Sequence, residues 1–182
     1  MIAPTVAHLE LVRDDGQPLP FNPGQFIQVH FQYADGTPTK RSYSLATVRD
    51  RDALPEDSVE IAVSYVPGGA ATALFEGLEV GERIDASGPF GRFCLMPNDA
   101  NRRYLLIGTG TGVTPYRAML PLLERQMDER AAYDVDVLIA YGADTPAGDV
   151  IEAVKAAGAD GSSVRAQRAG ETTVRCRRRI DL

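Results

Sequence analysis

Near residue 100 the hydrophobic period of this chain changes, so a single uniform architecture is excluded. Ahead of that point "TVAHLELVRD" has apolar residues at roughly alternate positions. "GQFIQVHFQY" alternates through Phe26, Val29 and Phe31, and "SVEIAVSYV" is rich in β-branched residues. The turn clusters "DDGQPLPFNPG", "ADGTP" and "VPGG" separate these runs. Short strands at such spacing, with no long helix among them, predict an antiparallel sandwich or barrel. Beyond the polar stretch "MPNDANRR", the run "YLLIG" predicts a buried strand. Tyr116, Met119, Leu120, Leu123 and Met127 then recur at helical spacing, with Thr114 placed to cap and Pro115 at the first helical position. Pro121 predicts a bend in that helix, because an interior proline removes a hydrogen bond and crowds the preceding turn. "YDVDVLIAYG" predicts a second buried strand, and "GDVIEAVKAAG" a second helix ending at Gly158. Strand, helix, strand, helix is the opening of a parallel α/β sheet.

Charge and cysteine content narrow the function. The 182 residues carry a net charge of −6, which disfavours nucleic acid and anionic membrane surfaces, both polyanions. No basic n-region precedes an apolar run at the start, and no stretch is apolar for long enough to cross a bilayer, so the expected location is cytoplasmic. Cys94 and Cys176 lie too far apart in sequence to read as a disulfide framework, and two cysteines supply no iron–sulfur ligand set. His8 and His30 lack metal-ligand neighbours and read as ordinary strand residues, so no metal site is assigned. Glu124, Asp128 and Glu129 read as a solvated helix face, and no nucleophile–base set supports hydrolysis.

The residues that suggest ligand chemistry fall in four places. Gly108, Gly110 and Gly112 precede the Thr114–Pro115 helix start, and a turn without Cβ atoms brings its amides close to an anion. The pattern is not G-x-G-x-x-G, since Gly112 follows Gly110 by two residues, nor a P-loop, since no Gly-Lys-Ser/Thr follows. In "KRSYSLA" an extended backbone turns Arg41 and Tyr43 to one face and Ser44 to the other. By themselves those residues read as a solvated strand edge. Gly68 and Gly69 lead into Ala70, Ala71 and Thr72, which open a short helix whose first amides suit phosphate. In "SGPFGRFCL", Gly88, Pro89 and Gly91 predict a tight turn before a final strand, with Cys94 as a barrel residue.

Taken in order, "RSYS", "GGAAT", "GPFGRF" and "GTGTGVTPYR" resemble the ferredoxin–NADP reductase family of flavin oxidoreductases, over roughly residues 5 to 143. The resemblance implies an antiparallel six-stranded Greek-key β-barrel that binds flavin, over residues 1–100, followed by a partial parallel α/β NAD(P)-binding domain over 101–182. It implies FAD in preference to FMN, with NAD(P)H as co-substrate. Arg41 is assigned to the flavin phosphate, Tyr43 to the isoalloxazine face and Ser44 to the vicinity of N5, where hydride arrives. Gly69, Ala70, Ala71 and Thr72 are assigned to the flavin phosphates, Thr72 standing where many relatives carry Ser. Gly108, Thr109, Gly110, Thr111, Gly112 and Pro115 are assigned to the NAD(P)H pyrophosphate. The implied acceptor is a small one-electron carrier: a ferredoxin, a flavodoxin or an oxygenase component.

The chain also departs from the family pattern. Cys176 lies in "RCRRR" without the Gly-Pro of the family's late Cys-Gly-Pro segment, and Asp144 follows "YGA" where relatives often carry Arg. From about residue 159 aromatic residues and periodicity are lost, which predicts a disordered, truncated or frame-shifted end as against a genuine short domain. The expectation is a chain that binds flavin and reduces it slowly with NAD(P)H, set against a non-enzymatic flavin-binding remnant.

Overall fold

The computed structural model describes residues 5–48, 58–95, 103–106, 108, 110–129, 134–140 and 173–176. In the first half, β1 (Val6–Val12) pairs antiparallel with β4 (Ser58–Ser64), from Val6 opposite Ser64 to Val12 opposite Ser58. A second antiparallel sheet has the order β3-β2-β5, from β2 (Phe26–Gln32), β3 (Pro38–Ser44) and β5 (Asp85–Phe90). The β2–β3 hairpin turns at "ADG", where Gly36 has φ +82° and Asp35 accepts a hydrogen bond from the Thr37 amide at 2.8 Å. Those bonds to Thr37 hold the Asp35 carboxyl below its ordinary range.

The two sheets are joined where the chain leaves β3. Leu45 bridges to Ile61, and the Ala46 amide donates to the Glu60 carbonyl at 2.8 Å. Leu45, Ile61, Val29 and Val63 are fully buried around that seam, with Ile27, Val59 and Phe75 completing the cluster. Each such side chain contributes about 1.5–3 kcal/mol through burial. The short helix α1 (Ala70–Gly77) closes one side of this core with Phe75. Five antiparallel strands stand in this half among the described residues, and the six-stranded Greek-key closure goes beyond what they form.

"SGPFGRFCL" differs from its expectation. Gly88 and Pro89, joined by a cis peptide, lie inside β5, and no strand follows among residues 91–95. Gly88 fits there because a Cβ would stand 3.2 Å from the Ile27 Cα on the neighbouring strand, so the bare residue lets the two backbones approach.

The second half begins with β6 (Arg103–Leu106), passes through a 3-10 turn (Gly110–Val113) into α2 (Thr114–Glu129), and returns as β7 (Asp134–Ala140), parallel to β6. Helix α2 runs through Pro121 as one element. Leu106, Tyr116, Met119 and Leu123 form its core against the sheet. Residues 173–176, inside the tail read as a disordered, truncated or frame-shifted end as against a short domain, form β8 (Thr173–Cys176), antiparallel to β7. The helix expected over "GDVIEAVKAAG" lies outside the described residues, as does the remainder of the tail.

Candidate functional site

Two clusters emerge, one in each half. In the first, the β2–β3 register sets Arg41 opposite Val29 and Tyr43 opposite Ile27. Arg41 is exposed, and its guanidinium donates to the Tyr33 hydroxyl at 3.0 Å, the Thr39 hydroxyl at 3.2 Å and the Lys40 carbonyl at 2.9 Å. Hydrogen bonds from Thr39 and Arg41 hold the Tyr33 phenol below the ordinary tyrosine range. No carboxylate pairs with Arg41 among the described residues, so its charge is held in place by neutral groups and remains available to an anion.

Tyr33 also lines a groove of about 930 Å³, bounded by Phe31 and Asp35 on the hairpin side and by Gly68, Gly69 and Thr72 at the start of α1. Gly68 has φ +71° and Gly69 is the N-cap of α1, with no side chain capping the helix. A Cβ on Gly69 would stand 3.0 Å from the Val66 carbonyl and 3.2 Å from the Thr72 hydroxyl. Thr72 is buried, and its hydroxyl accepts the Val66 amide at 2.8 Å. The oxygen is therefore engaged in closing the turn, and what it can offer a ligand is its proton. Ala70 and Ala71 are half-buried, Ala71 against the first core.

Tyr43 and Ser44 are half-buried at the end of β3. The Tyr43 ring meets Phe75 of α1 edge-on, with centroids 5.4 Å apart, so the helix that opens the groove also fixes this ring. Burial raises the Tyr43 phenol above the ordinary tyrosine range, and the positive charge of Arg41 opposes that rise. Because the folded-state value lies above the unfolded one, the associated stability is complete below about pH 10 and is lost as pH rises through the folded value. A Tyr43→Phe chain should accordingly lack one step of phenolate absorbance above the ordinary tyrosine range, and an unchanged titration curve would contradict this environment.

The second cluster is the glycine turn. Gly108 is buried, and a Cβ there would stand 3.0 Å from both the Gly112 carbonyl and the Tyr116 ring. Gly110 has φ +51°, Gly112 is exposed, and Thr109 lies outside the described residues. Thr114 departs from the capping role: it is already helical, and its hydroxyl donates back to the Thr111 carbonyl at 2.6 Å, which tightens the 3-10 turn. Pro115 is buried and so shapes the helix start from beneath. The glycine turn touches the first half where the Ser64 hydroxyl, at the end of β4, donates to the Thr111 hydroxyl at 3.1 Å.

The oxidoreductase FAD-binding domain family matches residues 3–94, half of the chain. The chain belongs to that family of flavin oxidoreductases. Among its relatives, the reductase subunit of an aromatic O-demethylase from Amycolatopsis sp. is 41% identical over 103 residues, covering 54% of this chain and 29% of the relative. Ferredoxin–NADP reductase B of Sorangium cellulosum is 35% identical over 119 residues, covering 65% and 46%. The solved structure of the Amycolatopsis cytochrome P450 reductase GcoB superposes with a TM-score of 0.60 at 30% identity, covering 84% of this chain and 44% of that one. The chain spans less than half the length of each of these relatives.

This family member's residues suit a flavin dinucleotide: the groove ends at the start of α1, which no side chain caps, where the Gly69 amide closes the turn onto the Val66 carbonyl at 2.9 Å and Ala70 and Ala71 are the first helical residues, and a guanidinium is tethered to Tyr33 on its wall. Tyr33 and Phe75 escaped the sequence reading. Tyr33 was open to discovery, because it continues the Val29, Phe31 alternation onto the face that carries Arg41. Phe75 gives no such signal, since only the packing of α1 onto β3 brings it to Tyr43.

Proposed function

We propose that the chain is a flavin-dependent oxidoreductase that passes electrons from NAD(P)H through bound FAD to a one-electron acceptor such as a ferredoxin, a flavodoxin or an oxygenase component. The observation that carries this reading is the groove between the hairpin and the start of α1, with Arg41 held at Tyr33 on its wall. In this reading the first-half sheets belong to a six-stranded Greek-key barrel over residues 1–100, and β6, α2 and β7 to an NAD(P)-binding domain over 101–182.

Bound flavin supplies two-electron uptake from a reduced nicotinamide and release of single electrons. The protein's own residues bind and orient. Arg41 and the amides of Ala70 and Ala71 neutralise the flavin phosphates, Gly69, whose own amide is turned to the Val66 carbonyl, lets them approach, and Thr72 donates its remaining proton to them. Tyr43, braced by Phe75, packs on the ring, and Ser44 offers a hydroxyl at the reacting edge. Gly108, Thr109, Gly110, Thr111 and Gly112 hold the nicotinamide dinucleotide's pyrophosphate, with Pro115 setting the helix behind them. Two separately held reactants brought to one cleft gain the rate advantage of fixed proximity and orientation.

The test begins with the full chain and FAD. Dialysed material should keep the yellow oxidised-flavin spectrum and bleach on anaerobic addition of NADPH or NADH. Colourless protein overturns the reading. A yellow protein that neither nucleotide bleaches is a flavin-binding module and not a reductase.

A further inference from the structure

Arg117 lies in the segment "GTGTGVTPYR", yet its side chain does not serve the glycine turn. It leaves the first turn of α2 for the other half of the molecule, where its Nη1 donates to the Ala46 carbonyl at 2.6 Å and to Glu60 Oε2 at 2.6 Å. The second oxygen of Glu60 lies 3.2 Å from His8 Nε2 on β1. The Glu60 amide donates to the Thr47 hydroxyl at 2.7 Å, and the Ala46 amide to the Glu60 carbonyl. Ala46 and Thr47 are 3% and 2% exposed. Arg117 thus closes a network on a segment that packs tightly against β4.

An ion pair this open to solvent contributes little to stability by itself; the Arg117 side chain is 41% exposed and that of Glu60 23%. The Ala46 carbonyl is a different matter, because a carbonyl on a buried residue needs a partner and Arg117 supplies one among the described residues. Ala46 stands two residues beyond Ser44, and Arg117 three residues beyond Thr114. One side chain therefore ties the continuation of the strand carrying Arg41, Tyr43 and Ser44 to the first turn of the helix that follows the glycine turn.

We infer that Arg117 is a positioning residue: by clasping Ala46 and Glu60 it fixes the glycine turn against the flavin edge, and the Ser64–Thr111 hydroxyl contact holds the same junction from the other side. The inference rests on the reductase reading of that site. Loss of the clasp leaves the flavin groove intact, since Arg117 hydrogen-bonds Ala46 and Glu60 and neither lines it, and misplaces the nucleotide turn. Displacement by about 1 Å costs on the order of 100-fold in a transfer that depends on alignment.

The experiment compares the full chain with Arg117→Met, Arg117→Lys, Glu60→Gln and the Arg117→Met/Glu60→Gln double variant. Amide hydrogen exchange without any ligand reads the clasp directly. Protection over residues 110–116 should fall in Arg117→Met, with the β2–β3 hairpin unchanged. With FAD bound, the maximal rate of flavin bleaching by NAD(P)H should drop about 10- to 100-fold in Arg117→Met at unaltered FAD affinity. Arg117→Lys should recover part of that rate, and the double variant should be no slower than Arg117→Met. Unchanged exchange, or bleaching at the parental rate, overturns the positioning role. If Arg117→Met does not fold, an Arg117→Gln variant, shorter and uncharged, overturns it equally by matching the parent in both measurements. A colourless parent chain instead removes the reductase reading, a failure visible before any variant is made.

Discussion

Gly24→Ala should destabilise the protein by about 3–5 kcal/mol, which lowers the melting temperature by on the order of 10 °C. Gly24 is buried with φ +99°, a conformation that disfavours any side chain. A Cβ there would also press into the Phe93 carbonyl group, standing 2.9 Å from its carbon, and would lie 2.5 Å from the Met119 Cε. Phe93 belongs to the segment after β5 and Met119 to α2, so the added methyl group strains the junction of the two halves. Backbone cannot yield as a flexible side chain does. Gly36→Ala is the control: its φ is +82°, but nothing stands within 4 Å of the added atom. It should cost only the left-handed strain, about 1–2 kcal/mol. Equal losses in the two variants, measured by thermal and denaturant unfolding, would disprove the clash.

Arg41→Ala should weaken FAD binding by about 2–3 kcal/mol, roughly 30- to 150-fold in Kd, with little change in melting temperature of the ligand-free chain. The small stability effect follows from exposure: the guanidinium bonds Tyr33, Thr39 and Lys40 at the surface and closes no buried network. The large binding effect follows from charge, since a planar fork already oriented by three acceptors loses little freedom when it meets a phosphate. Arg41→Lys keeps the charge and lacks the fork, so it should recover only part of the affinity. Calorimetric titration with FAD decides this. An alanine variant that binds FAD as the parent does would remove Arg41 from the phosphate site.

The fold was legible where local pattern and long-range packing agree. β2 announced itself by alternation, β4 by its β-branched residues, and α2 by Tyr116, Met119 and Leu123 on one face. The helix was legible through Pro121 as well: α2 continues there as one element, with Leu120 and Leu123 on either side of the proline buried. "GPFGRF" misled because glycine and proline usually mark turns, whereas Gly88 lies within β5 to let two backbones close up. β8 was illegible for a different reason: "TVRC" acquires its place only by pairing with Ala140 to Val137, which no local signal encodes. Within the site, chemistry-bearing residues were readable by type and order. Their supports were not, since Phe75 under Tyr43 and Arg117 across to Ala46 depend on contacts far apart in the chain.

The seam at Leu45 and Ile61 also bears on the order in which the molecule assembles. The β2–β3 hairpin closes over a few residues, whereas β1 reaches β4 only after both hairpin strands have been spanned, Val6 meeting Ser64. Loop-closure entropy rises with the intervening length, so local pairing comes at lower entropic cost and the β1–β4 ladder is the slower event. The groove is bounded by the hairpin on one side and by residues that follow β4 on the other. Its two walls face each other once the Leu45–Ile61 seam has brought β4 against the end of β3, so a nascent polypeptide gains this pocket only after a long-range contact has formed, and any ligand captured there rewards the states that hold the seam.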